Sequence, residues 1–531
     1  MEQTFKYKIR NMDNQSAFDK AEYNYTGLFH KLYNNLELSE DKGFINECLS
    51  KFNLDKTMYD YCLVDVKMSN SGKDEINKEK QKKIDTINKE LVKFKKLKNP
   101  LSKKQKYYKK KLLKNKAFLL DTIKRDICFG GKDILRKITT IQQKEKKTKK
   151  DIKRLTKFKK EFTENRKRNI FLWGKAIEGG NRKVDFYLEN NYVVFKLNKD
   201  TKIKINLIPF ENKKRKKITE EINKLILRDS IPLTVRISKT HLYLTFDNEI
   251  VNGFGFDITG CNTEIKNNPE RDKKEIKKEF YAEQLKRKLK NKVINRASGT
   301  DLNPHEIGFS IVDVNEESGE IDKIIKYLSF DLSYYTKQEN LSHYEREKLK
   351  YELTKVYDYM FNMCIHYKVS HFGVEDLKKI TEKYLPNNST TTFNRITKNI
   401  WNRELQVNLI KNRCDEFGII CNEVEPMYSS FIGNIKYDFN DCAAASVEVA
   451  RRGCLKYKKI GTRLYPSITK KDYEKMSYLI GHDLTDFTTW ASLYKRFKTD
   501  ERSSSGGLWR HKNSTVGGYL NSKKSNVTIC Y

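Results

Sequence analysis

Three acidic residues of this 531-residue sequence have the type and placement for metal-assisted hydrolysis: Asp301, Glu375 and Asp441. Roughly 74 and 66 residues separate them, so only a fold can bring them together. A two-metal phosphodiesterase holds a pair of Mg²⁺ ions about 4 Å apart, one activating water and one stabilising the leaving oxygen. Such hard cations take carboxylate oxygens, keep several waters and borrow substrate phosphate oxygens, so three acids suffice. Mn²⁺, which also favours oxygen ligands, is the expected substitute. One acid alone is weak support, because an Asp at a strand end is more often a turn or capping residue. Asp257, after the apolar Phe254-Gly255-Phe256, and Asp376, beside Glu375, compete with the chosen set. Asp438, one turn before Asp441, stays open as an alternative third ligand.

The elements that must position these acids follow from periodicity. Gly299 to Asn303 leads into the apolar run Ile307–Val314, Glu316-Glu317-Ser318-Gly319 turns the chain, and Ile321–Leu332 makes a third strand. A long helix is expected over about 341–368, with Leu349, Leu353, Val356, Tyr357, Met360 and Met363 on an inward stripe. A short strand from Ser370 ends at Glu375, a second helix covers about 394–417, a fifth strand covers Ile419–Val424, and a third helix opens near Asp441. Three strands, helix, strand, helix, strand, helix is the order of a ribonuclease-H-like α/β domain. Asp301 then lies in the first strand, Glu375 at the end of the fourth and Asp441 at the start of the last helix, where all three can converge at one sheet edge. Asp301 is preferred to Asp257 because a second and third strand follow it at once.

The rest of the chain is very basic. Lys and Arg total 107 against 70 Asp and Glu, a formal charge of +37. Such a surplus repels itself and fits a polyanionic partner, with counterion release from phosphates supplying much of the affinity. No apolar run approaches 18–20 residues, which argues against a membrane. With 37% hydrophobic and 12% aromatic residues, the chain can build real cores. The first twelve residues alternate as a strand rather than a targeting segment, and the ten cysteines are scattered singles without any CxxC pair. Both features suit a reducing cytoplasm, and no zinc is expected. Residues 1–17 read as the first strand of a small β-barrel, 18–168 as a helical insertion with Lys-rich hairpin helices, and 169–256 as the remaining barrel strands. Residues 257–298 read as a charged connector, 299–460 as the ribonuclease-H-like domain, and 461–531 as a tail with two helical signals and a mobile Ser/Gly-rich end.

Three segments resemble motifs of the RuvC domain in transposon-encoded TnpB nucleases and type V CRISPR effectors. Gly299-Thr300-Asp301-Leu302-Asn303-Pro304 resembles the first, His371-Phe372-Gly373-Val374-Glu375-Asp376-Leu377 the second, and Asp441-Cys442-Ala443-Ala444-Ala445 with Val449-Ala450-Arg451-Arg452-Gly453 the third. The resemblance covers about 299–453, and more weakly the whole architecture. It implies an α+β multidomain protein with a RuvC nuclease domain, a β-barrel "wedge" and a helical recognition insertion. It implies as partners a guide RNA and double-stranded target DNA, read by base pairing next to a short flanking motif, with one or two chains per RNA left open. The family's zinc ribbon is missing: Glu425 to Asn434 stands between the second and third motifs without paired cysteines, leaving the tail as a candidate replacement. Tyr428 and Ser429 fit the family's Pro-x-Tyr-Ser segment beside the active site. Asn394, Arg395 and Arg403, on the helix after Glu375, are further candidates for touching nucleic acid, while Trp401 reads as core. Lys132, Arg182 and Lys183 beside Gly-rich turns are the remaining candidates, since backbone N–H groups there can approach phosphates. Two other functions stay open: a guide-RNA-dependent DNA-binding repressor that does not cut, and an RNA-independent transposase or resolvase.

Overall fold

The computed structural model describes every residue except 1, 96–101, 124–127, 145–147, 229–230, 304–305, 316, 333–341, 377–402, 459–464 and 500–531. Asn394, Arg395, Trp401 and the Ser/Gly-rich end of the tail therefore lie outside the described residues. The chain divides into two compact units, Glu2–Phe246 and a second that begins at Asp247. No helix among the described residues is long and apolar enough to cross a membrane.

In the first unit, β1 (Glu2–Met12) buries Phe5, Tyr7 and Ile9 and exposes Lys6, Lys8 and Arg10, the period-two pattern of a half-buried strand. Six helices follow: α1 (Gln15–Asn34), α2 (Lys42–Phe52), α3 (Lys56–Lys95), α4 (Lys103–Ile123), α5 (Lys132–Gln142) and α6 (Lys149–Asn165). α3 and α4 run antiparallel, with Lys80 Nζ donating to Thr122 O (3.4 Å) and Tyr108 OH to Glu90 Oε2 (2.9 Å). The strands are β2 (Ile170–Leu172), β3 (Val184–Tyr187), β4 (Tyr192–Lys196), β5 (Lys202–Leu207), β6 (Thr234–Ile237) and β7 (His241–Asp247), with α7 (Lys213–Leu227) between β5 and β6. They form one seven-stranded sheet in the order β2-β6-β7-β1-β5-β4-β3, so the N-terminal strand sits in its middle. Buried Asn181, just before β3, donates to Leu172 O (3.1 Å) and Leu233 O (3.0 Å), tying the two ends of that order together.

The second unit opens with α8 (Asn248–Val251), α9 (Ile258–Asn267) and α10 (Lys273–Leu289). Its sheet is built from β8 (Val293–Leu302), β9 (Glu306–Val314), β10 (Ile321–Asp331), β11 (Val369–Glu375) and β12 (Ile420–Val424), in the order β10-β9-β8-β11-β12. The β8–β9 and β9–β10 pairs are antiparallel, while β8–β11 and β11–β12 are parallel. β8 starts at Val293, so the last residues of the expected connector belong to the sheet. Val293 pairs with Val369 of β11, and Arg296 grips Asp313 across to β9 with two bonds, Nε to Oδ1 (2.7 Å) and Nη2 to Oδ2 (2.9 Å).

The remaining helices are α11 (His343–His366), α12 (Arg403–Phe417), α13 (Ser429–Lys436), α14 (Asp441–Lys458), α15 (Lys470–Ile480) and α16 (Trp490–Thr499). Side chains alternate across the sheet, which makes three layers. Phe309, Ile311 and Phe372 pack on one face against Leu353, Tyr357 and Phe361 of α11 and Ile410 of α12. Ala297, Val312 and Val314 pack on the other against Val447, Ala450 and Cys454 of α14. Of the expected inward stripe of α11, Leu349, Leu353, Tyr357 and Met360 are buried, and Val356 and Met363 are half-buried against the same core.

Candidate active site

Strand register places two of the acids side by side. Val374 pairs with Thr300 across the parallel β8–β11 ladder, and Glu375 and Asp301 are the next residue on each strand. On the other side, Gly308 of β9 pairs with Asp301. Residues two apart on a strand share a face, so Asp301 and Glu375 point toward the same side as Gly299 and Gly373. That is the side α14 covers.

α14 lies directly on the strand backbone. A Cβ on Gly308 would fall 1.9 Å from Cys442 O, one on Gly299 2.3 Å from Ala450 N, and one on Gly373 2.3 Å from Val449 O. Cys442, Ser446, Val449 and Gly453 form the i, i+4, i+7, i+11 stripe that makes this approach, which explains the small residues at the helix start. Because its first turn rests on Gly308, the partner of Asp301, Asp441 arrives at the same sheet end. Asn440 caps the helix, accepting from Ala443 N (2.9 Å), and Asp441 in the first turn suits the positive end of the helix dipole.

Asp301 and Glu375 are buried and Asp441 is exposed, and each of the three meets a neutral donor. Asn303 Nδ2 donates to Asp301 Oδ2 (2.7 Å), Ser429 Oγ to Glu375 Oε1 (2.8 Å), and Asn434 Nδ2 to Asp441 Oδ1 (2.6 Å). Burial, then the neighbouring Glu375 and Asp441 charges, push the Asp301 carboxyl well above the usual carboxylate range. Desolvation of its carboxyl, with the Glu306 charge, also raises Asp441, against the bond from Asn434. The same surroundings keep the Cys442 thiol protonated, through burial first and the nearby carboxylates second.

A fourth acid was not found from the sequence. Glu306, the first residue of β9, raises both Asp301 and Asp441 through its charge, and accepts from Asn440 Nδ2 (2.9 Å) and from Ser329 Oγ. Its only sequence signal was an acid opening the strand that follows Asp301 across a short link. The neutral donors Asn434 and Asn303 were also missed as partners of the acids.

The competing acids have other work. Asp257 caps α9, accepting from Gly260 N (2.8 Å). Both Asp438 and Asp441 are exposed, but Asp438 accepts from Lys475 Nζ (2.9 Å), whereas Asp441 accepts from Asn434 and acts through its charge on Asp301.

Comparison with known proteins adds little. No protein-family model and no curated protein matches the sequence. The chain is similar to a cryo-EM structure of a Cas12f1–sgRNA–target DNA complex at 11% identity and a TM-score of 0.29, over 81% of this chain and 90% of that one. A CRISPR–Cas12f ternary complex matches at 12% identity and a TM-score of 0.19, over the same shares. Likeness at this level carries no argument, so the site stands on its own geometry.

The hard carboxylate oxygens suit Mg²⁺ or Mn²⁺ in chemistry. Among the described residues, no three His, Cys, Asp or Glu side chains are gathered into a ready cage for any metal. That is compatible with Mg²⁺, which fills much of its shell with water and substrate oxygens. Where a zinc ribbon was missed in the sequence stands α13, with Phe431, Ile432 and Ile435 packed under Met476, Leu484, Trp490, Leu493 and Phe497 of the tail.

The nucleic-acid candidates separate. Ser429 is buried against Glu375, so its hydroxyl serves the acid. Tyr428 sits in the left-handed region (φ 63°) and packs its ring against Tyr465 and Tyr494. Lys132 and Arg182 are exposed. Lys183 is a correction: it is buried, and its ammonium is taken by Asp55 and by Leu197 O (3.2 Å), so it is not offered to a phosphate. Arg403 opens α12, and its side chain lies outside the described residues.

Proposed function

We propose that the chain is an RNA-guided DNA endonuclease that hydrolyses phosphodiester bonds at a RuvC-type site built on Asp301, Glu375 and Asp441. The observation that carries the hydrolytic part is the meeting of the three acids at one sheet end, through the Thr300–Val374 register and the seating of Cys442 on Gly308. The strand order, three antiparallel strands followed outward by two parallel ones, supports the ribonuclease-H-like reading. The RNA-guided part rests on the three motif resemblances and on the +37 charge, which fits a phosphate-rich partner.

Asp301, Glu375 and Asp441 would hold the divalent ions. Those ions would supply Lewis-acid activation of water and of the leaving oxygen. The protein's own part is to keep Asp301 and Glu375 buried and all three carboxylates aimed. Burial first, and then the repulsion of like charges so close, raises Asp301, and that repulsion favours any cation that enters. Asn303, Ser429 and Asn434 each fix one carboxylate oxygen.

The test is to purify the protein from its host, sequence the RNA it carries, and offer duplex DNA matching that RNA with Mg²⁺. A discrete RNA and cutting at the matched site are expected. A preparation without a discrete RNA would overturn the guided reading, and binding without cutting would favour the repressor.

A further inference from the structure

Two of the three neutral donors come from one short helix. Ser429 opens α13 and Asn434 lies five residues on, and they reach Glu375 and Asp441 respectively. Gly433 makes that possible: a Cβ there would fall 2.5 Å from Ala444 O, so only glycine lets α13 lie against the start of α14.

α13 is also braced on every side. Arg452, from the far end of α14, donates through Nη1 to Glu425 O (2.5 Å) and Met427 O (2.9 Å), fixing the segment that leads into the helix. Lys475 of α15 closes the other end, donating to Asn434 O (3.1 Å), Ile435 O (2.8 Å) and Asp438 Oδ1 (2.9 Å), an ammonium on the last carbonyls. Lys436 pairs with buried Asp472 (3.0 Å). The apolar face of α13 lies under the tail helices. A left-handed Tyr428 (φ 63°) immediately before it persists only where its surroundings hold it.

We propose that α13 is a carboxylate-positioning element, in which Ser429 and Asn434 hold Glu375 and Asp441 in the orientation that binds the divalent ions, and that the tail helices α15 and α16 serve to hold it in place. This rests on the metal-dependent reading of the site. A neutral donor on one carboxylate oxygen leaves the charge intact and fixes the direction of the other oxygen. Loss of such outer partners typically costs about 10–100-fold in metal affinity.

The test is Mn²⁺ binding by the full-length protein, followed by loss of the free-ion EPR signal, alongside thermal melting without metal. Saturable binding by the wild type that Asp301→Ala abolishes is required first; its absence would refute the metal reading itself. Given that binding, Ser429→Ala and Asn434→Leu should each weaken Mn²⁺ by about 10–100-fold while the metal-free melting temperature stays close to wild type. Ser429→Thr, which keeps the hydroxyl, should restore binding. Folded Ser429→Ala and Asn434→Leu proteins with wild-type affinity would overturn the positioning role and leave the metal reading standing. Where an alanine or leucine variant does not fold, Ser429→Cys takes its place, and wild-type affinity in that variant overturns the proposal equally.

Discussion

α14 contributes to two charge clusters, and they are built on opposite plans. At its first turn, Asp441 joins Asp301, and both are met by neutral amides. Two turns on, Glu448 is fully buried between Arg451 and Arg452. Arg451 grips it through Nε to Oε2 and Nη2 to Oε1 (both 2.8 Å), and Arg452 Nε adds a third bond (2.8 Å). Burial alone would raise the Glu448 carboxyl, yet the two guanidiniums hold it below the usual range. Burial and like charge instead drive Asp301 up. The protein therefore has the means to neutralise a buried acid with arginine, and uses them where the role is to lock elements together: Arg451 also donates to Gly319 O (2.9 Å), and Arg452 to the segment before α13. At the sheet end it supplies oriented carboxylates and neutral donors, the arrangement a cation from solution would complete.

The largest expected effect breaks the compensated cluster. Glu448→Gln leaves two buried guanidiniums without their counter-charge and should cost about 3–5 kcal/mol in a urea titration. An unchanged midpoint would mean that the cluster is not structural. Gly308→Ala attacks the other cluster through the backbone, since its Cβ would meet Cys442 O. A loss of about 1–3 kcal/mol is expected, together with weakened divalent binding as the first turn of α14 lifts away.

The two clusters should also give opposite pH slopes. Glu448, whose folded-state pKa is lowered, contributes stability that is present above the ordinary Glu range and lost as pH falls through its folded value. Asp301, whose folded-state pKa is raised, favours the native state most below the ordinary Asp value of about 4. That stability is lost as pH rises toward the raised value, because the native state there binds more protons than the unfolded one. In EDTA, Asp301→Asn should remove a decline of at most about 1.4 kcal/mol per pH unit; a wild-type slope unchanged by the substitution would contradict the raised value. The smallest effect sharpens the assignment. Asp438→Ala should change stability by no more than about 0.5 kcal/mol and leave divalent binding alone, since its exposed side chain serves Lys475.

What could be read from the sequence, and what could not, follows from the range of the interactions. Glu375 ends an apolar run and Asp301 leads into one that two further strands follow, and strand alternation is local, so their places on the first and fourth strands were legible. Asp257 also follows an apolar run, and only the Gly260 N–H bond marks it as a cap. Asp441 and Asp438 were indistinguishable because the residue that engages Asp438, Lys475, lies 37 positions away. Glu448, Arg451 and Arg452 have the i, i+3 and i, i+4 spacing of an ordinary exposed pair. Their burial depends on glycines in three other elements that let the helix settle onto the sheet. Asn434 and Ser429 gave no signal of their own, because a polar residue on a short apolar helix has many possible partners. The Pro-x-Tyr-Ser resemblance marked the right segment without the contact it makes.

The central claim is that Asp301, Glu375 and Asp441 are the hydrolytic centre, and cleavage by the Asp301→Ala protein tests it most directly. With RNA-matched duplex DNA and Mg²⁺, the wild type should cut, and Asp301→Ala should be slower by about 10³-fold or more, roughly 4 kcal/mol of lost transition-state stabilisation. Cleavage at the wild-type rate by a folded Asp301→Ala protein would contradict the account.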